Sequence, residues 1–133
     1  MKSKILLGLR IIAAGILIQT LYFKFTGAPE SKFIFSTLGV EPWGRYFAGI
    51  SELVAGIFLL IPALYLFGAM MSIGIMLGAI TSHLLILGIQ VQNDGGLLFS
   101  LALIVFIICI TIVVLEKENL KKLIQQLKLK FLS

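Results

Sequence analysis

Four long apolar runs dominate the chain, over residues 5–25, 43–61, 64–88 and 97–115. Each is close to the roughly 20 residues that a helix needs to cross a hydrocarbon layer about 30 Å thick. The apolar positions are continuous rather than alternating, and backbone groups in lipid must bond within their own segment. The runs therefore predict helices and exclude barrel strands. After Leu115 the period changes: Leu120, Leu123, Ile124, Leu127 and Phe131 fall on one helical face, with lysines elsewhere. The predicted fold class is all-α, an integral membrane four-helix bundle over residues 1–116 followed by a basic amphipathic helix over 117–133.

The connections refine this outline. Only Pro62-Ala63 links the second and third runs, so those two helices are expected to be antiparallel neighbours. The first connection, TGAPESKFIFSTLGVEPWG, carries Phe33, Ile34, Phe35 and Leu38; Pro29 can open a short helix and Gly39 can end it. A short interfacial helix over the mouth of the bundle is expected, with an irregular loop as the alternative. Pro42 and Trp43 then begin the second span, the tryptophan at belt depth.

Composition agrees with a lipid environment: 59% of residues are hydrophobic, 13% are charged, and the mean hydropathy is +1.11. A cleaved signal peptide is the competing account of the first run, because Lys2 and Lys4 precede it; its length and the lack of an A-x-A-like site favour a retained span. With both termini cytoplasmic, eight basic residues lie inside (Lys2, Lys4, Arg10, Lys117, Lys121, Lys122, Lys128, Lys130) and three outside (Lys24, Lys32, Arg45). This split predicts a multi-pass membrane protein with both termini cytoplasmic. The net charge of +5 reports topology and anionic lipid, not nucleic acid, since the basic residues flank spans instead of forming one aromatic-studded face.

Ionisable groups at membrane depth are expensive and mark candidate sites. Glu52 lies about nine residues below Trp43, with Gly49 and Gly56 on its face, and His83 about five below Gly88. At 1.5 Å per residue these depths are roughly 13 and 8 Å, so both side chains can open on one cavity in the outer half. Ser72 and Met76 share a helical face with His83. Gln19 and Lys24 sit near the outer end of the first span, and Asn93-Asp94-Gly95-Gly96 precedes the fourth at the same end. Glu52 and His83 are the candidate catalytic pair, able to share and pass a proton; Gln19, Lys24, Ser72, Met76 and Asp94 are candidate ligand contacts. Competing roles stand beside these. His83 can be an interhelical hydrogen-bond donor, Lys24 can snorkel to the interface, and Asp94 is a turn or cap residue first and a pocket rim second. One histidine and scattered carboxylates give no metal or haem ligand pair, and the lone Cys109 gives no dithiol chemistry.

The segments FKFTGAPES, LGVEPWGRYFAGISELVAGIFLLIP and SHLLILGIQVQNDGGLLFSLALIVF resemble the DoxX-like family of small four-span bacterial membrane proteins. The resemblance runs from Arg10 to about Leu115 and omits the tail. It rests on Lys24 and Gly27, on Glu41-Pro42-Trp43-Gly44, on Glu52 and His83, and on Asp94-Gly95-Gly96. It implies a four-helix membrane fold and a family that includes subunits of thiosulfate:quinone oxidoreductase and membrane components of thiol-redox defence. Two functions follow as expectations: a membrane subunit of a quinone-linked oxidoreductase with a redox partner subunit, or a non-enzymatic protein that holds a lipid-like ligand or assists assembly. A transporter is a third, and so small a bundle would need a homo-oligomer for it.

Overall fold

The structure, a computed structural model, describes residues 2–132. Six helices follow in order: α1 (Lys2–Thr26), α2 (Pro29–Thr37), α3 (Trp43–Leu60), α4 (Tyr65–Ser82), α5 (Leu97–Leu115) and α6 (Lys117–Leu132). α4 is extended by one π-helical turn, His83–Leu87. Among the described residues there is no strand. Helices α1, α3, α4 (with its π turn) and α5 are long and apolar enough to cross a membrane. α1 packs on α3 and α5, α3 on α4, and α4 on α5, which closes the four spans into a ring.

The outside of the ring is apolar. Phe47 is 68% exposed, Leu85 77% and Ile107 60%, a distribution that water would penalise and lipid tails accept. The chain is thus an integral, multi-pass membrane protein. With no hydrophobic drive between helices in lipid, small residues must bring backbones together. Ala13 and Ala14 of α1, Ala55 of α3 and Ala69 of α4 are fully or almost fully buried, with Leu17, Leu59, Val105 and Ile112 filling between them. At Gly68 backbones of two spans meet: a Cβ there would lie 2.7 Å from the Leu59 nitrogen and 2.9 Å from the Ala55 carbonyl oxygen.

Two arginines fasten α1 to α3 from opposite ends. Arg10 Nε of α1 donates to the Leu59 carbonyl at 2.7 Å, near the end of α3. Arg45 Nη1 of α3 donates to the Lys24 carbonyl, near the end of α1. Each meets a carbonyl in the last turns of its neighbour, where helices leave acceptors unpaired and cations are favoured. Each also lies 4.6 Å over a tyrosine ring, Arg10 over Tyr65 and Arg45 over Tyr46. Arg45 is further held by Glu41 at 2.8 Å, whereas Tyr65 leans on the buried Glu116, which Lys2 approaches at 3.8 Å and Asn119 contacts. The positive-inside count treated both arginines as flanking charges; both are buried, at 8% and 3% exposure.

The short helix after α1 forms as expected, with Pro29 in its first turn. It packs on α1, α3 and the π turn, and so covers one end of the ring. At the opposite end lie Pro62-Ala63 and the junction to α6, a helix with no buried residue.

Candidate functional site

Beneath α2 a cavity of about 330 Å³ opens into the bundle, with walls from all four spans and from α2. Most of its surface is apolar, supplied by residues such as Ile16, Phe35, Met76, Leu98 and Val105. Its polar groups are few: Thr20 and Lys24 of α1, Ser31 of α2, Glu52 of α3, and Ser82 and His83 of α4 and its π turn. This is the general form of a small-molecule site, apolar walls with a small number of placed polar groups.

Glu52 is 5% exposed and does not stand alone. Lys24 Nζ lies 3.0 Å from its Oε2, and the Thr20 hydroxyl donates to the same oxygen at 3.3 Å. Thr20 and Lys24 are one helical turn apart on α1, which puts both on the face that meets α3. Lys24 therefore turns inward to an ion pair, instead of snorkelling to the interface. Gly49 and Gly56, expected to admit a neighbour beside Glu52, do so: a Cβ at Gly49 would strike the Phe25 ring at 2.9 Å, and one at Gly56 would lie 3.2 Å from Ile18.

His83 begins the π turn and is 5% exposed. The wider turn carries the Gly88 amide back to the His83 carbonyl at 2.7 Å and places the Gly88 carbonyl 2.9 Å from Nδ1. A carbonyl can only accept, so Nδ1 is the protonated nitrogen. The ring meets Phe99 edge-on, centroids 5.6 Å apart. Glu52 and His83 share the cavity as expected, but no hydrogen bond or ion pair between the described residues joins them. Glu52 answers to Lys24 and Thr20, and His83 to Gly88.

The other sequence candidates divide. Met76 lines the cavity. Gln19 does not: it is exposed, because one residue along α1 from Thr20 turns the side chain about 100° away toward lipid. Ser72 is fully buried outside the cavity wall, its hydroxyl returned to the Gly68 carbonyl at 2.7 Å. Asp94 is the turn and cap residue. Its Oδ1 accepts the amides of Val91 and Gly96 at 3.0 and 2.8 Å, and Oδ2 accepts that of Leu98 at 3.2 Å. Gly96, at φ +81°, supplies the left-handed step into α5.

Partial burial would raise the Asp94 carboxyl, but the backbone N–H groups of Val91, Gly96 and Leu98 outweigh it and hold its pKa below the usual value. A depressed native pKa adds stability that is present above the ordinary carboxylate range and lost as pH falls through the lowered value. Asp94→Asn keeps one acceptor oxygen but puts an NH2 where Oδ2 accepts from Leu98, and is expected to cost about 1 kcal/mol at neutral pH. Melting curves taken toward acid pH should show the gap to the wild type closing; a gap that persists at low pH contradicts the cap.

Over residues 8–114 the chain matches a family model, that of the DoxX-like family. The chain belongs to the DoxX-like family. The match covers the four spans of this DoxX-like protein and stops before α6. No curated protein and no solved structure gives a significant match. Among the described residues no group of three or more His, Cys, Asp or Glu side chains is placed to hold a metal ion.

Sequence reading missed three of the polar cavity residues: Ser31, Ser82 and, beside Glu52, Thr20. The signal for Thr20 was available: Ile16, Thr20 and Lys24 form an i, i+4, i+8 stripe, and all three line the cavity.

Proposed function

We propose that this DoxX-like protein is the quinone-binding membrane subunit of an oxidoreductase whose thiol or sulfur chemistry resides on a partner subunit. The observation that carries the reading is the Lys24–Glu52–Thr20 cluster set into the wall of an otherwise apolar cavity that also holds His83. The donor set fits a quinone: an ammonium and a hydroxyl beside a carboxylate, an imidazole, and apolar walls for ring and tail. A quinone bound there supplies two-electron, two-proton carrier chemistry, the electrons coming from oxidation of two thiols to a disulfide, or of an equivalent sulfur group, on the partner.

The residues of this chain then have separate tasks. Lys24 and Thr20, both bonded to Glu52, fix its position and orient an oxygen of the ligand beside it. Glu52 and His83 hold and deliver protons to oxygen atoms, a role for general acid–base groups within hydrogen-bond reach. Ile34 and Phe35 of α2, with Leu38 just past its end, cap the cavity and exclude water. With both termini cytoplasmic, the α2 end faces the outer side of the inner membrane and the basic α6 lies on the anionic inner leaflet.

A second reading is favoured by one observation: Glu52 is already paired by Lys24, as a purely binding site would have it. In that case the protein holds a lipid-like molecule and transfers nothing. Protein purified in mild detergent is expected to co-extract quinone and to melt at higher temperature with a quinone analogue. Absence of both effects removes the quinone reading. Glu52→Gln separates the two alternatives: loss of electron transfer from the partner with ligand still bound supports the redox subunit, and loss of ligand with the transfer rate unaltered supports the holder.

A further inference from the structure

His83 Nε2 is unaccounted for. The ring is 5% exposed and lines the cavity; Nδ1 is committed to the Gly88 carbonyl at 2.9 Å, and no described residue bonds the other nitrogen. With the proton on Nδ1, a neutral imidazole presents Nε2 as a lone-pair acceptor. The charged groups that face the cavity are Lys24 of α1 and Glu52 of α3, and they cancel at 3.0 Å. α2, α4 and α5 bring no ionised group to its wall, and Asp94, on the loop beyond the π turn, is occupied by backbone amides. No side-chain nitrogen or oxygen is buried without a partner among the described residues, so Nε2 is reached from the cavity, where water or a ligand meets it.

We infer that His83 Nε2 is the acceptor for a hydroxyl of the bound molecule, so that the cavity prefers the reduced, hydroquinone form of its ligand to the oxidised form. The inference rests on the quinone reading above and adds to it a redox-state preference set by one nitrogen. A hydroquinone hydroxyl donates to Nε2. A quinone carbonyl offers only lone pairs to the same nitrogen, and the two repel unless the ring takes up a second proton. Lys24 and Thr20 do not discriminate in this way, because an ammonium and a hydroxyl donate equally well to a carbonyl or a phenolic oxygen.

The test is binding, independent of turnover. Wild-type protein is titrated anaerobically with a short-chain alkyl benzohydroquinone and with the corresponding quinone. The hydroquinone is expected to bind about tenfold more tightly, the scale of one buried hydrogen bond made or left unmade. His83→Leu should shrink the difference mainly by weakening the hydroquinone. Equal affinities in the wild type, or a preference undiminished in His83→Leu, overturn the inference and leave the quinone reading standing. Binding of neither form overturns both. Because the chain has one histidine, wild-type protein with ¹⁵N-labelled imidazole gives a readout that no variant is needed for. Nε2 should shift on addition of hydroquinone while Nδ1 stays put, and an unmoved Nε2 refutes the contact.

Discussion

Lys24→Met is expected to destabilise the protein by about 3 kcal/mol, the lower end of the range for removing one partner of a buried ion pair. The substitution leaves the Glu52 carboxylate, 5% exposed, with only the Thr20 hydroxyl at 3.3 Å. Lys24 is 17% exposed at its side chain and Glu52 7%, so the carboxylate is the partner that cannot reach water. The reverse change, Glu52→Gln, should therefore cost less, because the freed ammonium can swing toward the mouth on its flexible stem. The double variant Lys24→Met/Glu52→Leu is expected to recover much of the loss, since replacing both members of a buried pair by apolar groups is often close to neutral. Thermal or denaturant unfolding in detergent reads all three. A Lys24→Met protein as stable as the wild type would place the ammonium outside the bundle.

Gly68→Val should be the most damaging change away from the cavity. A Cβ at this position meets the Leu59 nitrogen, the Ala55 carbonyl oxygen and the Phe58 Cβ at 2.7–2.9 Å. The first two are backbone atoms of α3 and cannot rotate aside as a side chain can, so α3 and α4 must separate near their short link. The cost belongs at the upper end of the roughly 1–3 kcal/mol that overpacking produces, or beyond it. Gly74 and Gly78 lie on the same helix with no atom near a built Cβ, and Gly74→Ala is the matched control. Similar melting temperatures for Gly68→Val and Gly74→Ala would contradict the close approach.

Much of the fold was legible because lipid leaves few alternatives: length and continuity of the apolar runs specify helices, and Pro62-Ala63 specifies their hairpin. The helix after α1 was legible in Pro29 and Gly39. The site was legible only in part. Depth picked out Glu52 and His83 correctly as cavity residues, but depth along a helix does not give direction around it. Gln19 and Thr20 differ by one residue and face lipid and cavity respectively. The Lys24–Glu52 pair joins different helices, and its geometry depends on how α1 and α3 rotate against each other. The π turn at His83 shifts every later side chain by a fraction of a turn, and an apolar sequence such as His83-Leu84-Leu85-Ile86-Leu87 carries no mark of it. The arginine contacts were hidden for a related reason: positive-inside counting treats a basic residue as a flank and does not ask whether a neighbouring helix ends within its reach.

Those two arginine contacts limit which parts of the molecule can move. A pair of rods pinned at one point can still pivot; pinned near both ends, it can neither slide nor pivot. Arg10 on the Leu59 carbonyl and Arg45 on the Lys24 carbonyl make α1 and α3 such a pair, and the Lys24–Glu52 contact bridges the same two helices. The compliance needed to load and empty the cavity then falls to the other walls: to α2, tethered through Gly27 and Gly39, and to the π turn. The braced pair α1 and α3 carries the charges that face the cavity, and the π turn across from it carries the histidine.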